Sequence, residues 1–410
     1  MKALEYLEYL QENIYSKLGI EPNPIPETSK EIQDGIMEKL LSNHKGFVPD
    51  EYLEEARKVH RSEQDRIMSM KLPTKFENRI DYAIIKNLAE DIEKTVHEIE
   101  LTGDVMKDIK KLKDLNLNIT TPFFGTLPSG NVNALTCFCD DGYLIIFESD
   151  IFYFCNMLSK IIVSSLPIKN DNGRISLNLN EDAIIERLEN NSIILKHFVE
   201  LVIGYVIGGS PRTAPHYLAD GPYSSFASVM TQAMERFVMG HEYSHILLQH
   251  QPMSNGKIGL IDIKDMYYKI FSWPQEYTAD YLGLQLMFHS MNRYGNTNIE
   301  INYGSVEAFF SGLEIMKRSI AILQRGNDDW YWKNGNKEGP LGTHPPFQNR
   351  RGFTRNLMKT KYGEEYVKAS VVIEFIINQL WGNFKPILKS MHDKGIRPHP
   401  KWYVDNSFVT

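Results

Sequence analysis

Ala233-Met234-Glu235-Arg236-Phe237-Val238-Met239-Gly240-His241-Glu242-Tyr243-Ser244-His245-Ile246-Leu247-Leu248 is the stretch on which the reading of this chain turns. Its pattern is helical, and Met234, Phe237, Val238, Ile246, Leu247 and Leu248 make the helix apolar enough to be largely buried. Residues four apart share one face, so His241 and His245 direct their imidazoles at a single point. Glu242 is rotated about 100° from His241 by the helical period and flanks that point without joining it. Two imidazoles and a carboxylate in a buried helix need partners, because unpaired burial costs roughly several kcal/mol. A divalent metal supplies one. Neutral imidazoles suit Zn²⁺, and a carboxylate beside the metal's water suits a general base.

A catalytic zinc takes a third protein ligand and keeps one position for water. Downstream, Ser272-Trp273-Pro274-Gln275-Glu276-Tyr277-Thr278-Ala279-Asp280 has the marks of a helix start. Ser272 is the N-cap, Gln275 completes a capping box and Pro274 is tolerated in the first turn. Glu276 lies in that turn, 31 residues past His245, with Asp280 one turn further on the same face. Glu276 is therefore assigned as the third ligand, and Asp280 as the acceptor that fixes the tautomer of a ligating histidine. An ordinary amphipathic helix gains nothing from such an acidic pair, which repels itself.

Outward from these two helices, the chain up to about Asp114 reads as helix after helix, interrupted at Pro22-Asn23-Pro24-Ile25-Pro26. Ile80, Ala83, Ile84, Leu88, Ile92, Val96 and Ile99 form one helical stripe. The pattern then changes near Ile119–Phe124, and Asn133–Cys139, Asp140-Asp141-Gly142, Tyr143–Glu148 reads as strand, turn, strand. Cys137 and Cys139 share one face of the first strand and are expected to be packed thiols. Helical periodicity resumes over 151–166, 181–207 and 364–390. Breaker-rich loops are expected at 208–222 and 326–346, where Trp330, Tyr331 and Trp332 are equally suited to a lid or to buried anchors.

Composition excludes more than it identifies. The 410 residues carry a net charge of −7 and 42% hydrophobic residues, values of a folded, soluble protein. The mild acidity offers no footprint for nucleic acid. Three cysteines in a chain this long favour a reducing compartment, so a cytoplasmic location is expected. The most apolar window, Ile193–Gly209, is interrupted by Lys196, His197 and Glu200, so no membrane span is expected.

His241-Glu242-x-x-His245 followed by Glu276-x-x-x-Asp280 resembles the gluzincin signature, and three further features are similar to the HtpX and CAAX-prenyl-protease type of zinc metallopeptidase. These are Asn133-Ala134 before a hairpin, the extension of the zinc helix to Gln249-His250, and Thr343-His344-Pro345-Pro346 followed by Arg350. The resemblance covers roughly residues 117–360. It implies a zincin-like metallopeptidase domain with a small sheet at 117–360; with the helical patterns on either side, the expected fold is α+β, mainly helical, with a helical N-terminal domain at 1–116 and a C-terminal helical extension at 361–410. It also implies Zn²⁺ held by His241, His245 and Glu276, with Glu242 activating water. His344 would stabilise the oxyanion or guide protonation, Arg350 would brace the site, and Asn133 and Ala134 would open an edge strand for substrate.

The expected activity is zinc-dependent endopeptidase cleavage of cytosolic proteins, with an extended peptide pairing on that strand. A looser resemblance is to phage-exclusion proteases, which carry the same motif and would imply one specific host protein as substrate. The competing reading is a zinc-stabilised scaffold or regulatory protein without turnover; Glu242 argues against it, since a structural zinc needs no base. Tyr243, Tyr277 and His216 are all conceivable oxyanion donors, and His250, five residues past His245, is expected to be structural.

Overall fold

The computed structural model describes residues 1–21, 38, 50–98, 121–130, 134–171, 174–250, 254–257, 267–334 and 344–403. The proline-rich interruption at 22–26, Ile99, Ile119, Asn133 and the loop segment 335–343 lie outside the described residues.

A three-stranded sheet sits between two layers. Strands β1 (Phe123–Leu127), β2 (Ala134–Cys139) and β3 (Gly142–Glu148) run in the order β1-β3-β2, with β1 parallel and β2 antiparallel to β3. The expected hairpin joins β2 and β3: Cys139 pairs with Gly142, whose φ of 139° is open to glycine. The period-two alternation divides the sheet cleanly. Leu135, Cys137, Leu144 and Ile146 face helix α1 (Ala3–Leu18), which buries Ala3, Leu7, Leu10 and Ile14 on them. Ala134, Ile145 and Phe147 face the main core. Cys137 and Cys139 are packed thiols on the α1 side, as expected, and no disulfide forms among the three cysteines.

Helices make up the rest. After α2 (Asp50–Ser69), α3 (Arg79–Glu98) buries Ile85, Leu88 and Ile92 in the main core. Its buried Asp91 accepts from Arg236 Nε at 2.9 Å and from Arg293 Nη1 at 2.7 Å. Helix α4 (Ile151–Ser165) is followed by a hairpin of β4 (Ile168–Asp171) and β5 (Arg174–Leu177). The stripe expected at 181–207 is two helices, α5 (Glu181–Asn190) and α6 (Ser192–Val206), broken at Asn191. The breaker-rich segment contains one 3₁₀ turn, Pro211–Thr213. Helix α7 (Gly221–Leu247) then runs through the interior. A second hairpin, β6 (Ser254–Lys257) and β7 (Tyr267–Ile270), leads to α8 (Trp273–Arg293), α9 (Ile299–Arg325), α10 (Asp329–Asn334), α11 (Phe347–Tyr362) and α12 (Lys368–Asp393).

The result is an α+β, mainly helical fold with a small sheet, and its main core is continuous from Ile85 on α3 to Trp402 near the C-terminus. Among the described residues, no helix is long and apolar enough to cross a membrane. Helices α7 and α8 meet glycine to glycine: a Cβ on Gly283 would stand 2.9 Å from the His241 nitrogen, and one on Gly240 would stand 3.1 Å from the Gly283 carbonyl oxygen. The absence of both side chains lets the two backbones touch beside His241.

Candidate metal centre

Helix α7 presents His241 and His245 one turn apart, and α8 begins opposite them. The start of α8 follows the sequence: Ser272 Oγ accepts from the Gln275 amide, and Gln275 Oε1 accepts from the Ser272 amide at 2.9 Å. This capping box places Glu276 in the first turn, aimed at the two imidazoles. His241 Nε2 lies 3.2 Å from His245 Nε2 and 3.4 Å from Glu276 Oε2, and His245 Nε2 lies 3.6 Å from Glu276 Oε1. All three residues are buried, and their ligand atoms fall within 4.8 Å of one another. Burial alone would raise the Glu276 pKa, but attraction from His344, His241 and His245 outweighs it and holds the carboxyl well below its ordinary range.

The two histidines are held from behind by different groups. His241 Nδ1 is 2.9 Å from Asp280 Oδ1, and Asp280 in turn accepts both Arg350 Nε, at 2.8 Å, and Arg350 Nη2. Arg350 is buried, with its guanidinium 4.7 Å from the Phe310 ring centre. Burial and Arg350 push the His241 pKa down, yet Asp280 and Glu276 prevail and raise it to about 9. His245 stacks on Phe271 at 3.9 Å and 14°, and its Nδ1 lies 2.9 Å from His250 Nδ1. Burial pushes His245 well below the usual histidine range and His250 down to about 4.

Glu242 stands beside the cluster rather than in it. Thr136 Oγ1, from β2, donates to Glu242 Oε2 at 2.7 Å. Burial raises the Glu242 pKa against the opposing pull of His241 and the Thr136 hydroxyl. His344 is half-buried, its Nε2 3.8 Å from Glu276 Oε2, so it borders the cluster. Ala134 opens β2, which stands at one end of the strand order β1-β3-β2.

Several residues that the sequence offered make contacts of their own. Tyr243, a conceivable oxyanion donor, points away: its hydroxyl donates to Glu93 Oε1 on α3 at 2.9 Å. Tyr277 packs on Phe353 and His216 on Tyr153. Tyr331 packs on Trp332, and the Arg318 guanidinium of α9 lies over the ring of the exposed Trp332. Three features beside the cluster went unread: Thr136, Phe271 and the Gly240–Gly283 contact. Thr136 had a signal, since it alternates with the apolar Leu135 and Cys137 and so falls on the core face.

The donor set fits a metal ion. Both Glu276 oxygens are buried and neither accepts a hydrogen bond of good geometry. Such an anion needs a compensating cation. Two imidazole nitrogens and one carboxylate converging on a point, with a carboxylate behind one imidazole, suit Zn²⁺. Comparison with family models, with characterised proteins and with solved structures finds no match to this chain.

Proposed function

We propose that this protein is a zinc-dependent endopeptidase of gluzincin type with a zincin-like catalytic unit, acting on cytosolic protein substrates. The observation that carries the reading is the buried Glu276 carboxylate, unpaired by hydrogen bonds and facing the Nε2 atoms of His241 and His245. Those three residues would hold the ion. When bound, zinc supplies a Lewis acid that polarises the scissile carbonyl and acidifies water.

The remaining chemistry belongs to the chain. Glu242 takes the proton of the attacking water and passes it to the leaving amine. Its Oε2 is held by Thr136, so Oε1 is the oxygen left to face the water, and burial brings the carboxyl closer to the pKa a general base requires. Strand β2 would pair with an extended peptide, and Thr136 ties that strand directly to the base. His344 borders Glu276 and is the donor best placed to meet the oxyanion of the tetrahedral intermediate. Three unbridged cysteines suit a reducing compartment.

The test has two stages. Elemental analysis of freshly purified protein should find about one zinc per chain, and His245→Ala should lose it. Protein termini in cells expressing wild type should then differ from those in cells expressing Glu242→Gln; identical termini would reject the peptidase.

A further inference from the structure

His250 lies outside the His-Glu-x-x-His motif, and a continuing helix would carry it off the ligand face. The chain does not continue as a helix. Helix α7 ends at Leu247, and Gln249 takes φ 49°, the left-handed region that non-glycine residues seldom adopt. The reversal is closed by two backbone bonds, Gln249 N to Ile246 O and His250 N to His245 O, each 3.0 Å. It swings the His250 ring back over the last turn until the two Nδ1 atoms stand 2.9 Å apart. The His250 side chain is buried, at 9% exposure, and Phe271 supports both rings.

We infer that His250 is a positioning residue for His245, accepting its Nδ1 proton and so fixing the tautomer whose Nε2 lone pair faces the metal point. Two nitrogens at hydrogen-bond distance share one proton, and its location decides what His245 can do. With the proton on His245 Nδ1, Nε2 carries a lone pair that faces the point between Glu276 and His241. With the proton on His250 Nδ1, the neutral His245 ring must carry its own proton on Nε2, which closes that position to a cation. The turn at Gln249 thus supplies for His245 what Asp280 supplies for His241, by a neutral imidazole rather than a carboxylate. This inference rests on the zinc reading above.

The experiment measures zinc affinity of the full chain by competition with a chromophoric chelator. The variants are wild type, His245→Ala, His250→Ala, His250→Asn and His250→Phe, each checked for native thermal unfolding. Asparagine puts Oδ1 where histidine has Nδ1, whereas phenylalanine keeps the packing and removes the acceptor. His250→Ala and His250→Phe should each weaken zinc binding about 10–100-fold, and His250→Asn should restore most of the loss. Wild-type affinity in folded His250→Ala, or equal affinities for His250→Asn and His250→Phe, would overturn the positioning role while leaving the zinc site standing. If wild type binds no more zinc than His245→Ala, the metal reading itself fails and takes this inference with it.

Discussion

Glu276 in the His241–His245 cluster and Glu77 at the junction of α1 with the sheet are carboxylates of nearly equal burial, 1% and 3% exposed, yet their acidities are shifted in opposite directions. Glu77 is surrounded by neutral donors: Gln11 Nε2 at 2.6 Å, the Thr126 amide at 2.8 Å and the Thr126 hydroxyl at 2.9 Å. Burial dominates there, and the carboxyl is pushed up to about 7. Glu276 faces three imidazoles, whose attraction overcomes the same burial. Neutral donors at Glu77 do not offset the effect of burial, whereas the imidazoles around Glu276 do. The α1 junction therefore reads as a structural clasp, and the helix cluster as a place where a buried carboxylate is held ionised.

The hardest way to break the comparison is to remove a cation. Arg350→Met leaves the buried Asp280 with His241 alone beside it, and should cost about 3–5 kcal/mol in urea unfolding. The double variant Arg350→Met/Asp280→Asn should recover much of that loss. A cost under about 1 kcal/mol for the single variant would show that the pair does not hold the site together.

The pH dependence of the two regions should have opposite signs. Glu77 has a folded pKa above its ordinary value, so its contribution is fully present below about pH 4.5 and is lost as pH rises through about 7. Asp280 has a lowered folded pKa, so its contribution is present above its ordinary value of 3.8 and is lost as pH falls through the folded one. Relative to Glu77→Gln, wild type should thus lose on the order of 2–3 kcal/mol between pH 4.5 and 8. A flat difference across that window, measured by chemical denaturation, would remove Glu77 from the comparison.

Smaller effects locate the boundary of the cluster. Gly283→Ala should cost about 1–3 kcal/mol by forcing α8 off the His241 backbone, and should weaken zinc binding with it. Tyr243→Phe removes only the bond to Glu93 and should cost about 0.5–1.5 kcal/mol with zinc affinity unchanged. A loss of zinc in Tyr243→Phe would mean that the back of α7 is coupled to its ligand face.

Legibility in the sequence followed the range of the interaction. The helical spacing of His241 and His245, the capping box at Ser272 and the Cys139–Gly142 hairpin are local, and each was readable because its cause lies within a few residues. The convergence of Glu276 on the histidines was inferred from donor chemistry alone. The clasp of Asp91 with Arg236 and Arg293, and the hydroxyl of Thr136 on Glu242, join residues more than 100 positions apart, and no local pattern names such partners. The end of α7 at Leu247 went unread for a different reason. The reading assumed that the helix simply continued, and the left-handed turn at Gln249 is not announced by a glycine.

The contact between Gly240 and Gly283 carries a consequence for time as well as distance. Because backbone meets backbone there, the spacing of α7 and α8 is settled when the chain folds, with no contribution from a bound ion. Folding and loading then become separate events: the first brings the helices together, and the second is a diffusive capture by donors already in place. Protein stripped by a chelator should accordingly reload in a single bimolecular phase, its rate proportional to added zinc and free of any slow step of refolding.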